Sequence, residues 1–310
     1  MREAAEAIVH EVAAVRRDEH VLVVIDSGSD KRVEAILLAA LHGAAESTEV
    51  MPASAFLARE SDMSTRETVL FSLATPLLTH TDQMRTRLAA GARYVNLRGI
   101  DIDLLAQAGQ TDFAALEIVT DRAAAVLSRT HSVLVSDAAG TELTMRGSGQ
   151  ALALSGLARV PGSIGGFPSG EAALVPVEGS ASGIVAVPGF VEGFAGDTAA
   201  TQLHFVDGRL AKSGRGDALA FLLSTLGPLS SGRAVSEFGM GTNPALRPAT
   251  ARTAKKSLGT AHIGLGDNQS FGGSVMAAAH IDVILFAPTV ALDGYVVIDR
   301  GSPRSELWKS

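Results

Sequence analysis

Five residues in the second half of the chain are of types that bind metal ions through nitrogen and oxygen: Glu171, Glu237, His262, His280 and Asp282. Imidazoles and carboxylates of this kind hold Zn, Co, Mn or Fe(II). They lie in four short clusters, FPSGEAALVPVEGSASG (167–183), SEFGMGTNP (236–244), GTAHIGLGDN (259–268) and HID (280–282). Each cluster sets an ionisable residue beside glycine or proline, where backbone can approach closely and side chains from separate segments can converge. In HID, residues i and i+2 of a strand point to one face, so His280 and Asp282 could grip one ion side by side. Taken singly, each residue also has an ordinary reading. H-x-D suits a half-exposed strand edge, His262 a hydrogen-bonded core position, and Glu171 the cap of a turn before the apolar AALVP. Glu237, just after Val235, would be costly if buried without a partner; a metal ion or one of Arg233, Arg247 and Arg252 would remove that cost.

The elements that must position these residues change character along the chain. In the first half, short apolar runs alternate with helical stretches. VLVVID (21–26) precedes the helical KRVEAILLAALHGA, and TVLFSLA (68–74) precedes DQMRTRLAAG and then ARYVNL. A helix is predicted over 112–129, ahead of the strand HSVLVSD. Buried strands alternating with helices imply a parallel sheet covered on both faces. DSGSD, after the first strand, has the look of a phosphate-cradling turn but lacks the full glycine fingerprint of a dinucleotide site. From about residue 135 glycine-punctuated strands dominate: VLVSDAAGTELTMRG, GIVAVPG, LHFVDGRLA and TVALDGYVVIDRG, with one helix over 217–226. VDG and LDG are hairpin signals. The fold class expected is α/β. A Rossmann-like parallel-sheet domain spans 1–135, and an α+β, mostly antiparallel, metal-binding domain spans 136–310.

Composition narrows the function. The chain has 310 residues, 46% hydrophobic and 19% charged, enough for two ordinary domains and a sizeable core. A formal charge of −7 without any Lys/Arg run argues against a nucleic-acid surface. No cysteine is present, which excludes thiol nucleophiles and sulfur-rich metal sites and fits a cytoplasmic setting. The opening MREAAEAIVHEVAAVRRDEH reads as an amphipathic helix rather than a signal peptide, and no apolar run reaches the ~18 residues of a membrane span.

Taken in order, the clusters resemble the aminopeptidase T-like metallopeptidases, in particular their shorter branch. That family's second domain reads G-E…P…E-G-x-x-x-G, then E-x-G-x-G-x-N-P, G-T-x-H-I-x-L-G-D-N, G-G and H-x-D. The matching blocks here are GEAALVPVEGSASG, EFGMGTNP, GTAHIGLGDN, FGG and HID. In the first half LLTHTDQMRTRLAAGARYVNL resembles the family's S/T-H-S/T block followed by G-A-R. The likeness runs from about residue 70 and is dense from about 165. It implies a centre of Glu171, Glu237, His262, His280 and Asp282, which in peptidase members holds a pair of divalent ions (Zn, Co or Mn), with Asp282 as the natural bridge and one glutamate, such as Glu171, serving as ligand or base. The same superfamily includes 2,5-dihydroxypyridine 5,6-dioxygenase, with one Fe(II) on two histidines and an aspartate. Its H-x-D matches His280 and Asp282, while Glu237 stands where its other histidine falls. The histidine matching His80 acts there as a base; here His80 either reaches the site or sits beside a helix cap made by Thr79 or Thr81.

One departure is local. Peptidase relatives carry an acidic D/E-E-K or D-E-N stretch before the G-T-x-H block, and this chain has Ala254, Lys255 and Lys256. The leading expectation is a metal-dependent hydrolase of a peptide, amide or related small substrate, acting by metal-activated water. The alternative is a mononuclear Fe(II) ring-cleaving dioxygenase, and a third is a metal-free binding protein that keeps the fold. The resemblance also implies a homodimer or larger homo-oligomer.

Overall fold

The computed structural model describes residues 1–59, 68–79, 81–187, 189–229, 231–269, 272–304 and 306–308. They form two compact units. The first comprises Met1–Phe113 and Ser155–Ser169, the second Ala114–Leu154 and Gly170–Ser310. This differs from a single cut at residue 135 for two reasons. The helix Phe113–Leu127 gives Ala123, Ala124 and Leu127 to the core of the second unit. A short strand beyond residue 160 belongs to the sheet of the first.

In the first unit, strands β1 (His20–Ile25), β2 (Ser47–Pro52), β3 (Val69–Ser72), β4 (Arg93–Asn96) and β7 (Ile164–Gly166) form one sheet in the order β2-β1-β3-β4-β7. Every pairing is parallel. The apolar runs of β1 and β3 are buried on both faces, as a helix-covered parallel sheet requires. Two crossover helices begin at side-chain caps: Asp30 accepts from the Arg32 amide before Lys31–Leu41, and Thr81 from the Met84 amide before Asp82–Ala89. The DSGS turn closes on itself. The Asp26 carboxylate accepts from the amides of Gly28 (3.0 Å) and Thr75 (2.9 Å), and a Cβ on Gly28 would stand 2.4 Å from Thr75 Oγ1.

The second unit is a large, mostly antiparallel sheet. Its path runs β14-β13-β12-β8-β6-β5-β15-β16-β17, with β9, β10 and β11 to one side. These are β5 (Ser132–Ser136), β6 (Glu142–Leu154), β8 (Glu171–Pro176), β9 (Ser182–Ala186), β10 (Gln202–Val206), β11 (Arg209–Arg215), β12 (Val235–Gly241), β13 (Ala261–Gly266), β14 (His280–Leu285), β15 (Thr289–Leu292), β16 (Tyr295–Asp299) and β17 (Ser302–Pro303). The two Asp-Gly hairpins form as the sequence predicts. Asp207 and Gly208 have φ of 50° and 73°, Asp293 and Gly294 of 48° and 84°, the left-handed pair a two-residue turn needs. The long β6 joins the two halves of the sheet. Its first part pairs with β5 and β9, its last part with β8, and the register shifts between Gly147 and Ala151. Among the described residues, no helix is long and apolar enough to cross a membrane.

Candidate metal centre

Strands β8, β12, β13 and β14 carry two different faces. One supplies Ala172, Leu174, Val235, Phe238, Met240, Ala261, Ile263, Leu265, Ile281, Val283 and Leu285 to the apolar core. Strict alternation places Glu171 on β8, His262 on β13, and His280 with Asp282 on β14, on the opposite face. Glu237 needs a further device. It is two residues from Val235, whose side chain is in the core, so a regular strand would turn Glu237 inward as well. The register shift between Val235 and Glu237 inverts the alternation and puts the carboxylate on the site face.

Two positions on that face are glycine, and they need to be. Gly239 pairs with His262, and Gly264 with Asp282. A Cβ on Gly239 would lie 2.0 Å from His262 Cε1, and one on Gly264 would lie 2.7 Å from both Glu237 Cβ and His280 Cε1. Each imidazole therefore packs against a neighbouring glycine. Gly239 and Gly264 leave space for the two rings.

All five predicted ligands converge into two overlapping groups, Glu171–Glu237–His262 and Glu237–His280–Asp282; within each group the donor atoms lie within 4.8 Å of one another. His262 Nε2 is 3.2 Å from Glu171 Oε1 and 3.4 Å from Glu237 Oε1. His280 Nε2 is 3.0 Å from both Glu237 Oε2 and Asp282 Oδ1. Glu237 is the carboxylate common to both groups, and both histidines lie beside it. Glu171, Glu237, His262 and Asp282 are buried, while the His280 side chain is 21% exposed at the outer edge.

The surroundings fix the ligands' states. His280 Nδ1 lies 2.6 Å from the carbonyl oxygen of Asp267, which can only accept, so this nitrogen carries a proton and Nε2 faces the carboxylates. Asn268 pins the following loop by donating to Ser236 O and accepting from the Val275 amide. Asp267 and Asn268 thus support the site without facing it. His262 Nδ1 is buried with no hydrogen-bond partner among the described residues.

The lysines of ARTAKKSLGT belong to the same cluster. The sequence showed them only as a missing acidic stretch. Lys255 donates to Asp282 Oδ2 at 2.5 Å and Lys256 to Glu171 Oε2 at 2.7 Å. They follow a four-residue helix, Ala251–Ala254, closed by a Thr250–Thr253 capping box. Glu192, which the sequence did not single out, lies 3.9 Å from Lys255 beside β14. Burial would push Glu171 and Asp282 up, but Lys256 and Lys255 respectively hold both well below the usual carboxylate range. Two carboxylates and one imidazole in each group suit a hard or borderline divalent ion such as Zn, Mn, Co or Fe(II). The residues fit a metal. His80 lies outside the described residues.

The two-unit fold is similar to that of two solved structures. The structure of 2,5-dihydroxypyridine dioxygenase from Pseudomonas putida KT2440 matches with a TM-score of 0.80 at 18% identity, covering 99% of this chain and 98% of that one. Wild-type AmpT from Thermus thermophilus matches with a TM-score of 0.66 at 14% identity, covering 98% of both. No curated protein sequence matches. At these identities the likeness is one of fold. The profile of the family described as NicX, 2,5-dihydroxypyridine 5,6-dioxygenase, matches residues 6–211, well over half of the chain, and the chain belongs to that family. The matched stretch contains Glu171 and ends before Glu237, His262, His280 and Asp282.

Proposed function

We propose that this enzyme is a ring-opening dioxygenase that works with one divalent iron and acts on a hydroxylated, nitrogen-containing aromatic. The observation that carries the reading, beside the family, is the group Glu237–His280–Asp282. Its three donors come from one sheet, and its histidine reaches the exposed edge. Three ligands from one side leave the far side of an ion for small molecules. Bound Fe(II) would supply a redox-active centre through which electrons pass from the ring to dioxygen, both oxygen atoms ending in the product.

The chain's own residues would do the rest. Asp267 O holds the His280 ring in one tautomer and one orientation. Lys255 clamps Asp282 through the oxygen that faces away from His280. An oxygen electrode tests this on protein loaded anaerobically with Fe(II). With 2,5-dihydroxypyridine we expect oxygen uptake that tracks loss of the ring's ultraviolet absorbance, both abolished in His280→Ala.

A second reading, hydrolysis of a peptide or amide by metal-activated water, draws on the donor chemistry. Each group holds two carboxylates to one imidazole, a set at home on Zn, Co or Mn. Release of amino acids from short peptides by the Zn- or Mn-loaded protein, without oxygen uptake by the iron form, would overturn the dioxygenase.

A further inference from the structure

The two overlapping donor groups have room for two ions, one beside each histidine. The charge around them does not. Three buried carboxylates, Glu171, Glu237 and Asp282, face the centre, and Glu192 stands at its rim with its side chain 40% exposed. Two ammonium groups, Lys255 and Lys256, are already seated on the outer oxygens of Asp282 and Glu171, with side chains only 19% and 15% exposed. The formal charge of this set, with neutral imidazoles, is −2. One divalent ion brings it to zero; a second would leave two uncompensated positive charges in a buried pocket, which low-dielectric surroundings penalise heavily.

The lysines do not block either donor group. Asp282 Oδ1 and Glu171 Oε1, the oxygens that face His280 and His262, remain free of them. Their effect is on charge. We propose that Lys255 and Lys256 are built-in counter-cations that hold the centre to one divalent ion although its donors could take two. The inference rests on the reading of the cluster as a metal centre and applies equally to the dioxygenase and to a hydrolase.

Replacing both ammonium groups by uncharged side chains of similar length, Lys255→Met with Lys256→Met, takes the set from −2 to −4, the charge that two divalent ions neutralise. Full-length wild type and double variant are equilibrated with excess Mn(II), stripped of free ion by gel filtration, and assayed by elemental analysis. Electron paramagnetic resonance then distinguishes an isolated ion from a spin-coupled pair.

Wild type should retain one ion per chain with an isolated-ion spectrum, and the double variant two with a coupled spectrum. Two ions in wild type, or one in a double variant whose circular dichroism matches wild type, overturns the role of the lysines and leaves the metal centre standing. If the double variant does not fold, Lys255→Gln alone, at −3, should bind a second Mn(II) detectably in titration calorimetry where wild type binds none; absence of that second event sinks the proposal. No ion in either protein sinks the metal centre itself.

Discussion

Burial works against a charged ring at His262, yet the Glu171 carboxylate outweighs it and pushes the imidazole up to about 10. At His280 burial is outweighed by hydrogen bonds to Asp282 and Glu237, and the ring reaches about 11. Both values exceed the ~6.5 of an unfolded histidine. Their stabilisation of the ion-free chain is therefore fully present below about pH 6.5 and is lost as pH rises through about 10. A divalent ion responds in the opposite sense, because it must displace those protons, so its affinity climbs with pH. We expect the Tm of chelator-treated protein to fall between pH 7 and 10, and ion binding at pH 7 to release protons in an unbuffered titration. A Tm that rises over that interval would contradict the charge assignment. Residue types nominated the five candidate donors, since imidazoles and carboxylates beside glycine are legible as letters, and the family resemblance gathered them into one centre. Lys255 and Lys256 were not legible as site residues. A Lys-Lys pair reads as solvated surface, and only the turn after Ala251–Ala254 brings the two ammonium groups onto Asp282 and Glu171.

Strand pairing converts those letters into a centre, and there the two glycines opposite the rings matter most. Gly239→Ala puts a methyl group 2.0 Å from the His262 ring, which has to move. We expect a loss of about 1–3 kcal/mol in stability from overpacking and a drop of about tenfold or more in ion affinity from the displaced ligand. Thermal melts and ion titration would measure the two effects separately, and unchanged affinity would show that His262 is not a ligand. The elements were readable where side chains set them. The apolar runs of β1 and β3 and the two Asp-Gly turns appear where the pattern put them. β2 and β7 were not, because β2 exposes nearly every residue and β7 is Ile-Gly-Gly. Both are held by backbone pairing, which leaves no periodic mark. The shift that turns Glu237 to the site face was equally silent: one extra residue in a strand changes no composition.

Across the molecule, each unit has its own apolar core, one around Leu22, Phe56, Leu70 and Tyr94, the other around Leu174, Phe238, Ile263 and Val283. All five candidate ligands and both lysines lie in the second unit, as does Trp308, the chain's only tryptophan. An ion present at a hundred times its Kd stabilises what binds it by about 2.7 kcal/mol. That gain is expected in the unfolding transition reported by Trp308 fluorescence and in slowed hydrogen exchange of the β12, β13 and β14 amides. Amides of β1, β3 and β4 should gain markedly less protection. Equal protection throughout would mean that the two units unfold only together. The two-part α/β and antiparallel character was readable from the change in strand texture. The interleaving of the two compact units was not, because a helix and a three-residue strand are exchanged between them by packing alone.

That exchange gives the molecule an unusual thread. The chain passes between the units three times, after Phe113, after Leu154 and after Ser169. Neither unit can be excised by a single truncation. Ending the chain at Phe113 discards β7 and strips β4 of its outer neighbour, exposing a raw sheet edge that invites aggregation. Beginning it at Ala114 keeps the donors but carries residues 155–169 as a stranded loop with no sheet to join. As heritable pieces the two units are interleaved: a recombination event after Phe113 breaks the first, one after Ser169 breaks the second, one after Leu154 breaks both, and no single cut moves either unit free of residues from the other.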